Sequence, residues 1–118
     1  MKYAILIYGD EAAGAMSTPQ ELKAMHESYN AYTQSLIDAG VMAGGEALQP
    51  TSTATSVRVR SAKKAVTHGP FAETKEQLLG FYLVECPHLD DATQWASRCP
   101  GSATGTIEVR PVMAMGPN

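Results

Sequence analysis

The chain has 118 residues, 44% of them hydrophobic and 18% charged, with a formal net charge of −3. These values predict one globular domain over residues 1–118, and the acidic balance argues against nucleic acid as a partner. The apolar run at residues 3–8 is too short for a signal peptide or a membrane span, so we expect a cytoplasmic protein.

The first half of the chain predicts a strand, a helix and a second strand. Residues 1–8 are nearly continuous in apolar and aromatic residues, which is typical of a strand inside a sheet. The motif Thr18-Pro19-Gln20-Glu21 is a capping box with proline at the first helical position, so a helix should begin near Pro19 and end at Gly40. Its apolar residues recur at spacings of three and four and predict a stripe that packs on the sheet: Leu22, Met25, Tyr29, Tyr32 and Leu36. Residues 41–49 predict a strand with a bulge or a close backbone approach at Gly44-Gly45.

The second half predicts a hairpin, a strand, a helix and a last strand. Residues 57–60 alternate valine with arginine, as in a strand with one wet face, and residues 65–67 supply a short partner. The Gly69-Pro70 pair then forces a bend. The remaining elements are an inner strand at 78–85, a helix at 89–99, a strand at 106–112 and a flexible tail at 115–118.

This order of elements predicts an α+β fold of the ferredoxin-like split βαβ type with an extra hairpin. One face of such a sheet carries no helix. Because the inner strands at 3–8 and 81–84 are apolar on both sides, we expect the uncovered face to meet a second copy in a homodimer.

A long motif carries a resemblance to a known family. The stretch Gly69-Pro70-Phe71-Ala72-Glu73-Thr74-Lys75-Glu76-Gln77-Leu78, followed by Gly80-Phe81-Tyr82, resembles the DGPF group of the YCII-related family, and Gly44-Gly45-Glu46-Ala47-Leu48 is similar as well. The resemblance implies a ferredoxin-like subunit that dimerises as an α/β barrel. It also implies no settled activity, with a small His and Asp active site proposed in the wider family and links to alternative sigma factors. His68 stands where the group has its signature aspartate, a departure that bears on any dyad built on that residue.

Six residues are the candidates for a site. We predict His26, His68 and Glu73 as catalytic groups, because an imidazole near neutrality and a carboxylate beside it can exchange protons with a substrate. Phe71, Lys75 and Tyr29 are the candidate ligand-binding residues. Each candidate also has a purely structural interpretation. In that interpretation His26 lies at the border of the helix stripe, the residues around the bend are solvated, and Tyr29 belongs to the core. We expect His26 and His68 to line one cleft near the bend.

Two hypotheses of function follow from these residues. The first is a general acid/base enzyme, of lyase or isomerase type, acting on a small metabolite. The second is a non-catalytic ligand-binding or regulatory module linked to transcription or stress response. No metal-ligand spacing, phosphate loop or nucleophile elbow is present in the sequence, so no metal and no cofactor are predicted. Cys86 and Cys99 have no paired-cysteine spacing and should be free thiols.

Overall fold

The computed structural model describes residues 1–114, so the tail predicted at 115–118 lies outside the described residues. In chain order the elements are β1 (Lys2–Gly9), α1 (Glu11–Gly14), α2 (Pro19–Asp38), β2 (Met42–Ala47), β3 (Thr55–Arg60), β4 (Lys63–His68), β5 (Gln77–Glu85), α3 (Leu89–Arg98) and β6 (Thr106–Pro111). The single-turn α1 has no counterpart in the sequence prediction. It begins at Asp10, whose carboxylate accepts hydrogen bonds from the backbone N–H groups of Ala12 and Ala13.

Four strands form one antiparallel sheet in the order β2, β5, β1, β6, and within residues 1–114 strand β3 pairs with β4 alone. The four strands and the two long helices form two β-α-β units, β1–α2–β2 and β5–α3–β6. The α+β prediction is therefore confirmed, and the arrangement is compatible with a ferredoxin-like fold. The irregularity predicted in β2 is present, since the pairing register with β5 shifts between Met42 and Gly44.

The core lies between this sheet and the two long helices. Tyr3, Ile5 and Ile7 alternate along β1 and are buried in one cluster with Leu36 of α2 and Val84 of β5. The residues between them point to the opposite side of the sheet and are only partly buried: Ala4, Leu6 and Tyr8. The sheet therefore has one face inside the core and one face without a helix.

Helix α2 begins as predicted but does not pack as predicted. Thr18 is its N-cap, the capping box with Glu21 is complete, and Pro19 takes the first helical position. Tyr32 and Leu36 are buried against the sheet. Leu22 and Met25, however, are 47% and 42% exposed, so the stripe expected to cover the sheet does so only in the second half of the helix. The sequence period shows which face is apolar but not how far the helix stays in contact with the sheet.

The capping box makes a testable contribution to stability. Replacing Thr18 by Ala removes the hydroxyl that accepts from the Glu21 N–H at 3.1 Å, and we expect it to lower the free energy of unfolding by about 1 kcal/mol. Hydrogen bonds from the Thr18 backbone N–H and hydroxyl lower the pKa of Glu21. This carboxylate therefore stabilises the folded state at pH values above its unfolded pKa. That stabilisation is lost as the pH falls through its folded pKa. Urea unfolding of the native protein and of Thr18→Ala at neutral pH measures the loss of the cap, and equal stability of the two proteins would contradict the assignment.

Strands β3 and β4, residues 55–68, form a two-stranded ribbon that we call the arm. The sequence predicted one wet face, but both faces are exposed, and the side chains of Val57, Val59 and Val66 are 57%, 56% and 51% accessible. Two residues at its turn, Ser61 and Ala62, have positive φ angles of 51° and 64°.

The root of the arm is fixed to the sheet by Glu11. Its two carboxylate oxygens accept hydrogen bonds from the backbone N–H and the hydroxyl of Thr51, at 2.9 and 2.8 Å. Its backbone N–H donates to the side-chain oxygen of Gln77, the first residue of β5, at 2.9 Å. At the other end of the arm, the Gly69 N–H donates to the Ala54 carbonyl at 2.6 Å. The chain therefore leaves the domain and returns to it at the same place.

Both cysteines are buried free thiols, in agreement with the prediction from their spacing. Burial raises the pKa of each thiol, so both are protonated at neutral pH. Neither thiol has the depressed pKa of a reactive cysteine, and both act as small apolar residues.

Candidate functional site

A cavity of about 950 Å³ opens between the first half of α2 and the ends of β1, β2 and β5. The helix contributes residues at spacings of three and four, among them Leu22, His26, Tyr29 and Thr33. The cavity therefore occupies the space where the first half of the apolar stripe would otherwise meet the sheet.

Two glycines bring the walls of the cavity close together. Gly45 has a φ of +155°, and a Cβ at this position would lie 2.6 Å from the Phe81 carbonyl oxygen. Gly101 faces Tyr29 in the same way, since a Cβ there would lie 2.7 Å from the tyrosine hydroxyl. The close backbone approach that the Gly44-Gly45 pair predicted is therefore present, on the β2 side of the cavity.

Three hydroxyl groups form the polar part of the inner wall. The hydroxyls of Thr33 and Tyr82 share a hydrogen bond of 2.7 Å, in which either can donate. The Cys99 thiol donates weakly to the Tyr29 hydroxyl at 3.8 Å. Burial raises the pKa of both tyrosine hydroxyls. They are therefore protonated at neutral pH and offer a ligand hydrogen-bond donors and acceptors without charge.

The charged groups of the cavity are mainly acidic. Three carboxylates line it, those of Asp10, Glu21 and Glu46, together with the imidazole of His26, and the lining in the described part of the chain includes neither lysine nor arginine. Asp10 and Glu21 cap the two neighbouring helices. Glu46 caps no helix and is exposed on β2. This lining favours a neutral or positively charged ligand over an anionic one.

The structure separates the six predicted site residues into two groups. His26 and Tyr29 line the cavity, although His26 is exposed rather than partly buried at the border of the core. The other four lie outside the cavity lining, at the end of β4 or in the bend after it: His68, Phe71, Glu73 and Lys75. One copy of the chain therefore does not bring His26 and His68 together in this cavity.

The four residues near the bend are all exposed in the single chain. Phe71 is 77% exposed and lies under the guanidinium of Arg58, whose carbon is 5.8 Å from the ring centroid. Gly69 has a φ of +103°, so the predicted sharp bend is present. In a single copy the bend connects the arm to β5.

Sequence reasoning missed the hydroxyl wall. Thr33 follows Tyr29 by four residues on α2, so helical spacing places it on the same face. Tyr82 was predicted only as part of the inner strand at 78–85, with no role of its own, and its side chain lines the cavity. The signal available in the sequence was this i, i+4 pair of hydroxyl side chains, which the apolar periodicity of the helix masks.

Residues 1–114 contain no group of three His, Cys, Asp or Glu side chains placed to hold a metal ion. In the same part of the chain, no helix is both long enough and apolar enough to cross a membrane.

The comparison with known proteins gives a family but no activity. Residues 1–116 match the YCII-related domain. An uncharacterised protein of Rhizobium meliloti (strain 1021) is 37% identical over 119 residues, an alignment that covers 99% of this chain and 96% of that protein. The match extends over the whole sheet, the arm and the cavity. The chain therefore belongs to the YCII-related family.

Proposed function

We propose that the protein binds a small, partly apolar metabolite, neutral or positively charged, in the cavity between α2 and the sheet. The observation that carries this proposal is the composition of one cavity: apolar side chains such as Ile7, Met25 and Met42 surround uncharged hydroxyls and a single imidazole. A concave, mainly apolar site with a few convergent polar groups is the usual form of a small-molecule site.

The chemistry proposed for this site is general acid/base catalysis, as in a lyase or an isomerase, with His26 as the proton-transferring group. Imidazole is the side chain most often used for this role, because one ring nitrogen can accept a proton while the other donates one. The carboxylates of Asp10, Glu21 and Glu46 at the cavity give it a negative potential that would attract a ligand cation. The uncharged hydroxyls of Tyr29 and Tyr82 would hold a carbonyl or hydroxyl group of the ligand.

The exposure of His26 favours a second candidate function. An imidazole in contact with water lacks the enclosed setting in which acid/base groups are most effective. A non-catalytic module that binds the same ligand and regulates a transcription or stress-response partner is therefore the alternative. It shares the cavity but needs no proton transfer.

Ligand binding is tested by a thermal-shift screen of small molecules grouped by charge. A ligand present at 100 times its Kd stabilises the native state by about 2.7 kcal/mol, which gives a clear rise in Tm. We expect cations and neutral molecules among the hits and few anions. Replacing Thr33 by Val should weaken the hits, whereas the matched change Thr93→Val, on the exposed side of α3, should not. If a small molecule stabilises both variants equally, it binds outside the cavity.

Hydrogen exchange of the ligand that gives the largest thermal shift distinguishes catalysis from binding alone. An acid/base enzyme should exchange an activated C–H of the ligand with D2O, as followed by proton NMR. His26→Asn should abolish exchange and retain binding, while His88→Asn, a histidine outside the cavity lining, should leave both unchanged. Binding without exchange in the native protein would favour the regulatory module.

We also propose that the protein is a cytoplasmic homodimer of the DGPF group, joined across the helix-free face of the sheet as an α/β barrel. Ala4, Leu6, Phe81 and Leu83 lie on this face and are only partly buried in one copy. The apolar centre of this face is flanked by charged residues of the edge strands β2 and β6, and an apolar core with a polar rim is typical of a subunit interface. The buried free thiols agree with a reducing compartment. Sedimentation of a folded monomer at micromolar concentration would overturn the dimer.

A further inference from the structure

We propose that the arm of a second copy packs across the mouth of the cavity, with its valine face on Leu22 and Met25 of α2, and carries His68 of the partner subunit toward His26. The valine face of the arm and the first half of α2 are both uncovered in a single copy, and this contact covers both. The proposal takes the cavity as the ligand site and in that respect rests on the function proposed above.

The arm has two chemically different faces. Residues paired directly across an antiparallel ribbon point to the same side. One side combines the pairs Val57 with Val66, Val59 with Lys64, and Thr55 with His68. The other side combines Arg58 with Ala65 and Arg60 with Lys63. The arm is therefore amphipathic, and all three of its exposed valines share the face that holds His68.

An isolated two-stranded ribbon is at best marginally stable in water. A ribbon that also exposes three valines on one side favours a further contact, because apolar surface gains free energy when it leaves water. The first half of α2 presents the matching surface, with Leu22 and Met25 both more than two-fifths exposed. Within one copy, the clamp between Glu11 and Thr51 fixes the root of the arm while both surfaces stay uncovered.

Charge identifies the occupant as a second copy of this chain. The arm contains Arg58, Arg60, Lys63 and Lys64 and no carboxylate, a formal charge of +4. The other 104 residues hold five of the nine cations and all twelve carboxylates, a formal charge of −7. Lys64 lies on the valine face that would meet the acidic cavity, and the other three cations lie on the opposite face and contribute to the charge of the arm as a whole. The arm of one copy is therefore attracted to the body of another, and two-fold symmetry lets each copy cover the other.

The contact adds a residue to the site. His68 lies two positions after Val66 on the same face, so it approaches the cavity when the valines reach α2. The partner's His68 would then stand near His26, which one copy alone does not achieve. The site would be completed only in the dimer.

Disulfide trapping between two differently tagged chains tests the contact. One chain carries Val57→Cys and the other Leu22→Cys, and the native cysteines stay in place because both are buried. We expect the mixed dimer to be trapped under mild oxidation. The matched control is Ala65→Cys, on the opposite face of the same arm, which should give a much lower yield of trapped dimer. Equal yields for the two positions, or no trapping at either, would overturn the proposal.

A charge introduced on each face gives an independent measurement. Val57→Asp places a carboxylate in the contact and should raise the Kd of the dimer about ten-fold or more, as expected for a central interface residue. Ala65→Asp changes the net charge equally on the other face and should have a smaller effect. A basic arm that binds double-stranded DNA while the chains fail to cross-link would also overturn the proposal. Ligand binding is scored separately by the thermal shift, so failure of the arm contact and failure of the ligand site give different results.

Discussion

Replacing Gly105 by Ala should destabilise the protein by about 3 kcal/mol or more, a large part of the roughly 5–15 kcal/mol that holds a domain of this size together. Gly105 precedes β6 and crosses the end of β1. A Cβ at this position would lie 2.1 Å from the Tyr8 carbonyl oxygen and 3.2 Å from the Gly9 Cα. Both neighbours are backbone atoms of a central strand, so neither can move aside by changing a rotamer. The sheet would have to separate locally between β1 and β6.

The matched control is Gly14→Ala at the end of α1. A Cβ there meets no atom within 4 Å, and alanine favours helix over glycine, so this variant should be neutral or slightly more stable. Urea unfolding followed by far-ultraviolet circular dichroism measures both variants. Equal stability of Gly105→Ala and the native protein would show that the two strands do not approach each other as described.

Truncation of Leu36 to Ala should cost about 2–5 kcal/mol, because its side chain is completely buried between α2 and the sheet and its loss leaves a cavity. The same change at Leu22, on the same helix and in the same apolar stripe, should cost much less in an isolated copy, because that side chain is 47% exposed. The pair therefore measures where along its length α2 is attached to the sheet.

The stability costs of these two substitutions can also be compared at different protein concentrations. If the arm of another copy covers Leu22, the cost of Leu22→Ala should grow with concentration as dimers form, whereas the cost of Leu36→Ala should change little. Thermal unfolding at several concentrations, with Val57→Asp as the reference in which the arm contact is weakened, provides the measurement. Equal costs for the two leucines at low concentration would mean that the whole helix packs on the sheet.

The local signals in the sequence predicted the elements well. Thr18 and Pro19 gave the start of α2, Gly40 gave its end, and the Gly44-Gly45 pair gave the irregularity of β2. Each of these features depends on a few neighbouring residues, whose φ preferences and capping groups act at short range. The α+β order followed from them.

The cavity could not be predicted in the same way. The periodicity of Leu22 and Met25 is the same as that of Tyr32 and Leu36, yet only the second pair meets the sheet. The difference depends on the small residues of β2 and on the turn at Gly101, which are distant in sequence. Likewise, the alternation of Val57 and Arg58 describes a ribbon with two unlike faces but does not say what covers the apolar one.

The clamp at Glu11 makes the arm a separable insertion. Because Thr51 and Gly69 are both held where the chain leaves and re-enters the domain, residues 55–68 can be shortened, extended or exchanged without moving the ends of β2 and β5. Evolution can therefore vary the sequence and length of this ribbon independently of the sheet. Related chains that keep the same domain could in this way carry ribbons of different length and charge by changing fourteen contiguous residues.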